Sequence, residues 1–229
     1  MKPIVNVVIP AFNEENAVGK VIAEIPKELV TDIIVVDNNS SDKTQEIARN
    51  AGATVLEEKF QGYGASCLRG LSYIAEKHPN TDIVVFIDAD YSDYPEDMIK
   101  IVDQIINHNQ DLVIGSRALG NKENGSMTIP QIFGNWLATF LVALLYKQKF
   151  TDLGPFRAIG YQKLLELNMQ DRTYGWTVEM QIKAAKLKFK CVDVPVDYRV
   201  RVGVSKISGT IKGTLLAGYK IITTIFKSL

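Results

Sequence analysis

A doubly wound α/β fold, one mostly parallel sheet with helices on both faces, is the class this sequence predicts. Three observations carry that expectation. Short β-branched runs alternate with helix-like segments through the first 115 residues, in the order β-α-β-α-β-α-β-α-β. Several of these runs lead into acidic residues (Glu14, Asp37, then Asp88 with Asp90), at the strand ends where such sheets bind ligands. No linker, internal repeat or low-complexity stretch cuts the 229 residues into separate units.

The elements follow in order. Residues 4–9 predict a first strand, and the loop from Pro10 to Glu15 opens a helix ending near Ile25, with Asn13 as a candidate N-cap. Residues 33–36 are a second strand that runs into Asp37-Asn38-Asn39-Ser40, a turn and cap sequence. A helix over 43–50, a stop at Gly52, a strand over 53–56 and a helix over 62–77 come next. Residues 83–87, five apolar positions without a break, read as a buried central strand. Pro95-Glu96-Asp97 starts a helix that ends near Asn107, and 112–115 is a further strand. The rhythm then changes. Residues 120–126 read as a mobile polar loop and 130–147 as a strongly apolar helix. A strand over 156–159, a helix over 177–187, a strand over 191–196 and a basic loop over 198–208 follow. The last helix, 211–229, carries Leu215, Tyr219, Ile222 and Phe226 as its apolar stripe and Lys212, Lys220 and Lys227 near one face.

Composition narrows the function classes. Lys plus Arg and Asp plus Glu both number 26, so the balanced charge argues against nucleic acid as a partner. Cys67 and Cys191 form no CxxC pair, which fits a reducing compartment. His78 and His108 form no zinc pattern and read as surface residues. No signal peptide is visible, and the apolar stretch after Asn135 is shorter than the roughly 20 residues that span a bilayer. The expected location is the cytoplasm, free or peripheral at the cytoplasmic face of the membrane.

Asp88-Ala89-Asp90 is the pivotal motif. In extended geometry residues i and i+2 share a face, so both carboxylates can enter one crevice. Close carboxylates repel unless a cation or proton lies between them. A hard divalent ion, Mg²⁺ or Mn²⁺, bridging to phosphates answers that need. Helix capping is the competing reading. Gly62-Tyr63-Gly64 begins like a dinucleotide fingerprint but has Cys67 at the third glycine and follows the wrong strand, and there is no P-loop. A tight strand-to-helix turn is the better account of those glycines.

Taken together, residues 8–14 (VIPAFNE), 35–42 (VVDNNSSD) and 88–90 (DAD) resemble the signature blocks of family 2 glycosyltransferases with the GT-A fold. Gly115-Ser116-Arg117, residues 152–157 (DLGPFR) and residues 201–206 (RVGVSK) are similar to the branch of dolichol- and polyprenyl-phosphate sugar synthases. The resemblance implies that Pro10, Ala11, Glu14, Asp37, Asp88 and Ala89 hold the nucleotide. It implies that Asp90, with Asp88, holds the metal. A glutamine often found two residues after the second aspartate is replaced by Ser92, so the third ligand is left open between Ser92, Asp93 and water. The resemblance also divides the chain into a catalytic domain over 1–210, with a nucleotide-binding half (1–117) and an acceptor-binding half (118–210), and a C-terminal helix over 211–229.

The expected reaction is inverting transfer of a sugar from a GDP-mannose or UDP-glucose type donor to a polyprenyl phosphate. The diphosphate leaving group needs charge neutralisation, for which Arg199, Arg201 and Lys206 on the basic loop are candidates beside the metal, with Ser205 of the same loop a candidate on the acceptor side. A lipid phosphate is already an anion and needs positioning rather than a base; Arg117 and Arg157 suit that task. A glycan hydroxyl would instead require a base, and Glu179 occupies the corresponding place. The apolar helices flanked by lysines suit a membrane surface. Two further rivals are a nucleotidyltransferase and a catalytically silent nucleotide-binding or membrane-docking module.

Overall fold

The structure, a computed structural model, describes residues 2–203 and 211–229, with the side chains of Ile211 and Lys212 excepted. Its strands are β1 (Val5–Ala11), β2 (Asp32–Asp37), β3 (Thr54–Glu57), β4 (Ile83–Phe86), β5 (Leu112–Ser116), β6 (Arg157–Gly160) and β7 (Cys191–Pro195). Its helices are α1 (Val18–Glu24), α2 (Thr44–Asn50), α3 (Tyr63–Lys77), α4 (Met98–Ile106), α5 (Ile129–Tyr146), α6 (Tyr161–Leu167), α7 (Trp176–Lys186) and α8 (Ile211–Lys227). The strands make one sheet in the order β3-β2-β1-β4-β6-β5-β7. All neighbours are parallel except β6, which runs antiparallel to both β4 and β5.

Alternation along the strands builds two cores. Val5, Val7, Ile9, Val35, Val85 and Ile87 face α1, α2 and α4. Val8, Val36, Val84 and Phe86 face the other way, toward α3, α5 and α7, where Trp176 meets Phe86 edge-on at 5.9 Å. Strands β1 and β4 are buried on both faces, which is why they read as continuous apolar runs.

Several local expectations change. Asn13 does not cap α1; its φ is 53°, and its Oδ1 accepts from the Ser41 amide at 2.8 Å, tying the two acidic loops together. Helix α6 has no counterpart in the sequence reading, because no Ser, Thr, Asp or Asn start signal precedes it and it follows β6 directly from Gly160. The 120–126 segment is pinned: the Asn121 amide donates to Asp197 Oδ1 at 3.0 Å and the Glu123 amide to the Tyr198 carbonyl at 2.9 Å. His78 is half-buried, with Nε2 3.0 Å from Asp32 Oδ2.

The last helix presents a different face to the core from the one expected. Leu215, Tyr219 and Phe226 are exposed, while Ile225 is buried and Ile221 packs beside it. Both stripes are apolar, and packing against α5 and α7 selects the 221/225 stripe. Helix α5 is similar: Ala138, Thr139 and Val142 are buried, whereas Phe133, Trp136, Phe140 and Leu144 stand out into solvent. It is the helix of 18 residues that, among the described residues, is long and apolar enough to cross a membrane, and only 17% of it is buried.

Candidate active site

A cavity of about 340 Å³ opens at the carboxyl ends of β1, β2 and β4, the strand-end position expected of this sheet. Pro10, Ala11, Phe12 and Glu14 line it from the loop after β1, Asn38 from β2, and Asp88, Ala89 and Asp90 from β4. Gln61, Gly62, Tyr63 and Ser66 line it from the start of α3, Thr173 and Tyr174 from the segment before α7, and Arg201 from the loop after β7.

At its charged end Arg201 bridges two acids. Nη2 lies 2.8 Å from Glu14 Oε1 and Nη1 lies 3.1 Å from Asp90 Oδ2. The other Asp90 oxygen accepts from the Ser92 amide at 2.9 Å and the Ser92 hydroxyl at 2.5 Å. Ser92 therefore orients Asp90. Asp88 Oδ1 is buried with no hydrogen-bond partner. Burial and the neighbouring Asp90 charge push Asp88 up to about 7. Asp93 is buried with both oxygens unpartnered, and burial with the Asp88 and Asp90 charges pushes it well above the usual carboxylate range.

Asp37 sits behind the lining, fully buried. Its Oδ2 accepts from the Ser40 amide at 3.1 Å and from Gln45 Nε2 at 2.9 Å, and its Oδ1 has no partner. Asn38, not Asp37, reaches the cavity wall. Its Nδ2 donates to the carbonyls of Glu58 and Phe60 at 2.9 and 2.8 Å, and its Oδ1 accepts from the Gly62 amide at 2.8 Å.

Comparison with known proteins identifies the fold and family. The model of glycosyl transferase family 2 matches residues 6–167. The chain belongs to that family. A dolichyl-phosphate hexose transferase of Haloferax volcanii is 32% identical over 211 residues, covering 88% of this chain and 85% of the relative. An undecaprenyl-phosphate mannosyltransferase of Micrococcus luteus is 27% identical, covering 90% and 88%. The resemblance to the polyprenyl-phosphate sugar synthase branch thus holds. Glucosyl-3-phosphoglycerate synthase of Mycobacterium tuberculosis, solved with Mn²⁺, uridine diphosphate and glucosyl-3-phosphoglycerate, superposes with a TM-score of 0.76 at 23% identity, covering 99% of this chain and 80% of that one. The fold is GT-A, and the chain is a glycosyltransferase.

In this family 2 glycosyltransferase the expected site residues separate into two groups. Pro10, Ala11, Glu14, Asp88, Ala89, Asp90 and Arg201 share the cavity. Four others point elsewhere. Arg117, expected at the acceptor, pairs with Asp152 through Nε at 2.8 Å and Nη2 at 2.6 Å and lies over the Tyr198 ring. Arg157 is 0% exposed, because β6 is inserted between β4 and β5 and both of its sides are covered. Its guanidinium donates to the carbonyls of Leu153, Gly154 and Thr177, and burial lowers it to about 10. Arg199 pairs with Glu24 at 2.8 Å and stacks on Tyr91 and Tyr94. Glu179 accepts from the amides of Gln170 and Asp171 and pairs with Lys183 at 2.7 Å, so its carboxylate holds backbone rather than facing the cavity. Ser205 and Lys206 lie outside the described residues.

The glycines of the 62–64 segment also change meaning. A Cβ at Gly62 would lie 2.1 Å from the Arg172 carbonyl oxygen, and one at Gly64 1.9 Å from that of Asp171. They admit a crossing strand of backbone, which a turn or a phosphate cradle would not require. Asn38, Gln61, Tyr63, Thr173 and Tyr174 were not singled out from sequence. For Asn38 the signal was present in the Asp37-Asn38-Asn39 block; for Thr173 and Tyr174 there was none.

Proposed function

We propose that this chain is a metal-dependent, inverting glycosyltransferase that moves a hexose from a nucleotide sugar, of GDP-mannose or UDP-glucose type, to a polyprenyl phosphate at the cytoplasmic face of a membrane. The observation that carries this reading is the convergence of Asp88, Asp90 and Arg201 at one end of a strand-end cavity. The names of the relatives support the acceptor class.

The residues fit a hard divalent ion. The donors are carboxylate oxygens, and Asp88 Oδ1 is buried and unpartnered. Asp88 and Asp90 would hold Mg²⁺ or Mn²⁺. When bound, the ion draws negative charge off the departing diphosphate. No group of three or more His, Cys, Asp or Glu side chains is arranged for a metal among the described residues, so Asp88 and Asp90 are the two carboxylates this reading assigns, and Ser92, Asp93 or water would supply a third donor.

The chain's own groups do the rest. Pro10, Ala11 and Asn38 flank the nucleoside, with Asp37 behind them holding the Ser40 amide and Gln45. Arg201 exchanges Glu14 and Asp90 for the diphosphate as the donor enters, neutralising the leaving group with the help of Lys206. An acceptor phosphate oxygen then forms its bond to the anomeric carbon as the bond to the diphosphate breaks, inverting that centre. No base is needed, because the nucleophile is an anion. Arg117, Arg157 and Arg199 brace the walls in this scheme. Glu179 as a base for a hydroxyl acceptor finds no support in its contacts. The exposed faces of α5 and α8 lie against the bilayer.

The test is transfer of labelled hexose to polyprenyl phosphate in vesicles, with Mn²⁺ present. Asp90→Ala should lower kcat by at least about 100-fold. Near-normal transfer with unchanged metal dependence would overturn the assignment.

A further inference from the structure

One wall of the cavity is held from outside the catalytic sheet. Thr173 and Tyr174 form that wall, and they belong to the irregular segment between α6 and α7. Asp171 organises it. Asp171 Oδ1 accepts from the Thr173 amide at 2.7 Å, the Thr173 hydroxyl at 3.1 Å and the Gly175 amide at 3.2 Å. The other oxygen, Oδ2, lies 2.7 Å from Nζ of Lys220, midway along α8. Burial alone would raise the Asp171 carboxyl; the Lys220 contact and the Thr173 hydrogen bonds outweigh it and hold the group below its ordinary value. The segment is also pressed against the start of α3: the Ala65 amide donates to the Arg172 carbonyl at 2.9 Å and the Gly64 amide to that of Thr173 at 3.2 Å. Helix α8 touches the far end as well, since a Cβ at Gly175 would lie 2.9 Å from Thr224 Oγ1. The chain of contacts runs unbroken from α8 to the cavity.

We infer that Lys220 is a positioning residue for the donor, acting through Asp171 to set Thr173 and Tyr174 at the nucleotide. This rests on the reading that the cavity takes a nucleotide. Tyr219, next to Lys220 and roughly 100° round α8 from it, is 71% exposed. A helix that binds a membrane with one face and the donor wall with the other couples the two events, and such coupling is reciprocal.

The test is calorimetry of UDP and of GDP with Mn²⁺ against the full chain and its variants, with steady-state transfer in parallel. Lys220→Met keeps the aliphatic stem and removes the charge. It should weaken nucleotide binding roughly three- to tenfold, a range usual for residues that couple without touching the ligand. Donor KM should rise by the same factor while kcat stays. Lys220→Arg should restore binding, and Asp171→Asn should reproduce the loss. Wild-type affinity in both Lys220→Met and Asp171→Asn would overturn the inference, as would a fall in kcat with affinity unchanged. If the wild-type chain binds neither nucleotide, the donor reading falls and this one with it; if it binds and the variants match it, only this one falls.

Discussion

Arg157 shows how a residue type can be right and its task different. An arginine beside Gly154-Pro155 in a sugar-transferring family suggests an anion partner, yet here the guanidinium satisfies carbonyls of the 153–154 turn and of Thr177. Replacing it with methionine would leave those carbonyls unpaired in the interior, at a cost of about 2–4 kcal/mol. For a chain of this size the melting temperature should fall by roughly 5–15 °C. A melt within 2 °C or so of wild type would mean the guanidinium is dispensable to the fold. Arg201 is the contrasting case. It is the described basic candidate that lines the cavity, and its two partners are both acids of the site. The sequence placed both arginines in family-like segments; only burial and register separate a framework cation from one that lines the cavity.

At the scale of the element, α5 carries the clearest consequence. Phe133, Trp136 and Phe140 follow each other along one exposed face, with ring centroids 5.8 and 5.9 Å apart. Three aromatic side chains left in water is a large unpartnered apolar surface. Changing all three to serine should abolish co-flotation with vesicles of anionic phospholipid and leave the melting temperature of the lipid-free protein nearly unchanged, since none of the three is in the core. Retained flotation would exclude this face as the membrane contact. The helix itself was legible from its apolar run opening at Pro130, and the structure adds the Thr128–Gln131 capping box ahead of it. Which side of it faces the core was not, because apolar residues occur all round it.

For the whole molecule, ligand and proton compete at one carboxyl. Folded apo Asp88 keeps its proton up to about pH 7, whereas an unfolded aspartate loses it near 4. The stability this group contributes is therefore fully present below pH 4 and is lost as pH rises through about 7. A cation with a nucleotide replaces that proton and recovers the loss. The rise in melting temperature produced by Mn²⁺ with UDP or GDP should accordingly be larger at pH 8 than at pH 6. An equal or smaller rise at pH 8 would remove Asp88 from the metal site.

The sequence by itself determined the class of sheet, nearly every strand and the acidic strand ends, because continuous apolar runs bounded by turn and cap chemistry are local signals. It also determined the family, through three short blocks whose residues meet at β1, β2 and β4. Tertiary structure alone decided the insertion of β6 between β4 and β5, which buries Arg157 and could not be read from a four-residue run. It alone brought Thr173 and Tyr174 to the cavity, and Lys220 to Asp171 behind them, from beyond residue 170. Those positions carry no local signature, since their chemistry comes from carbonyls, amides and one carboxylate that the chain supplies only once it has folded.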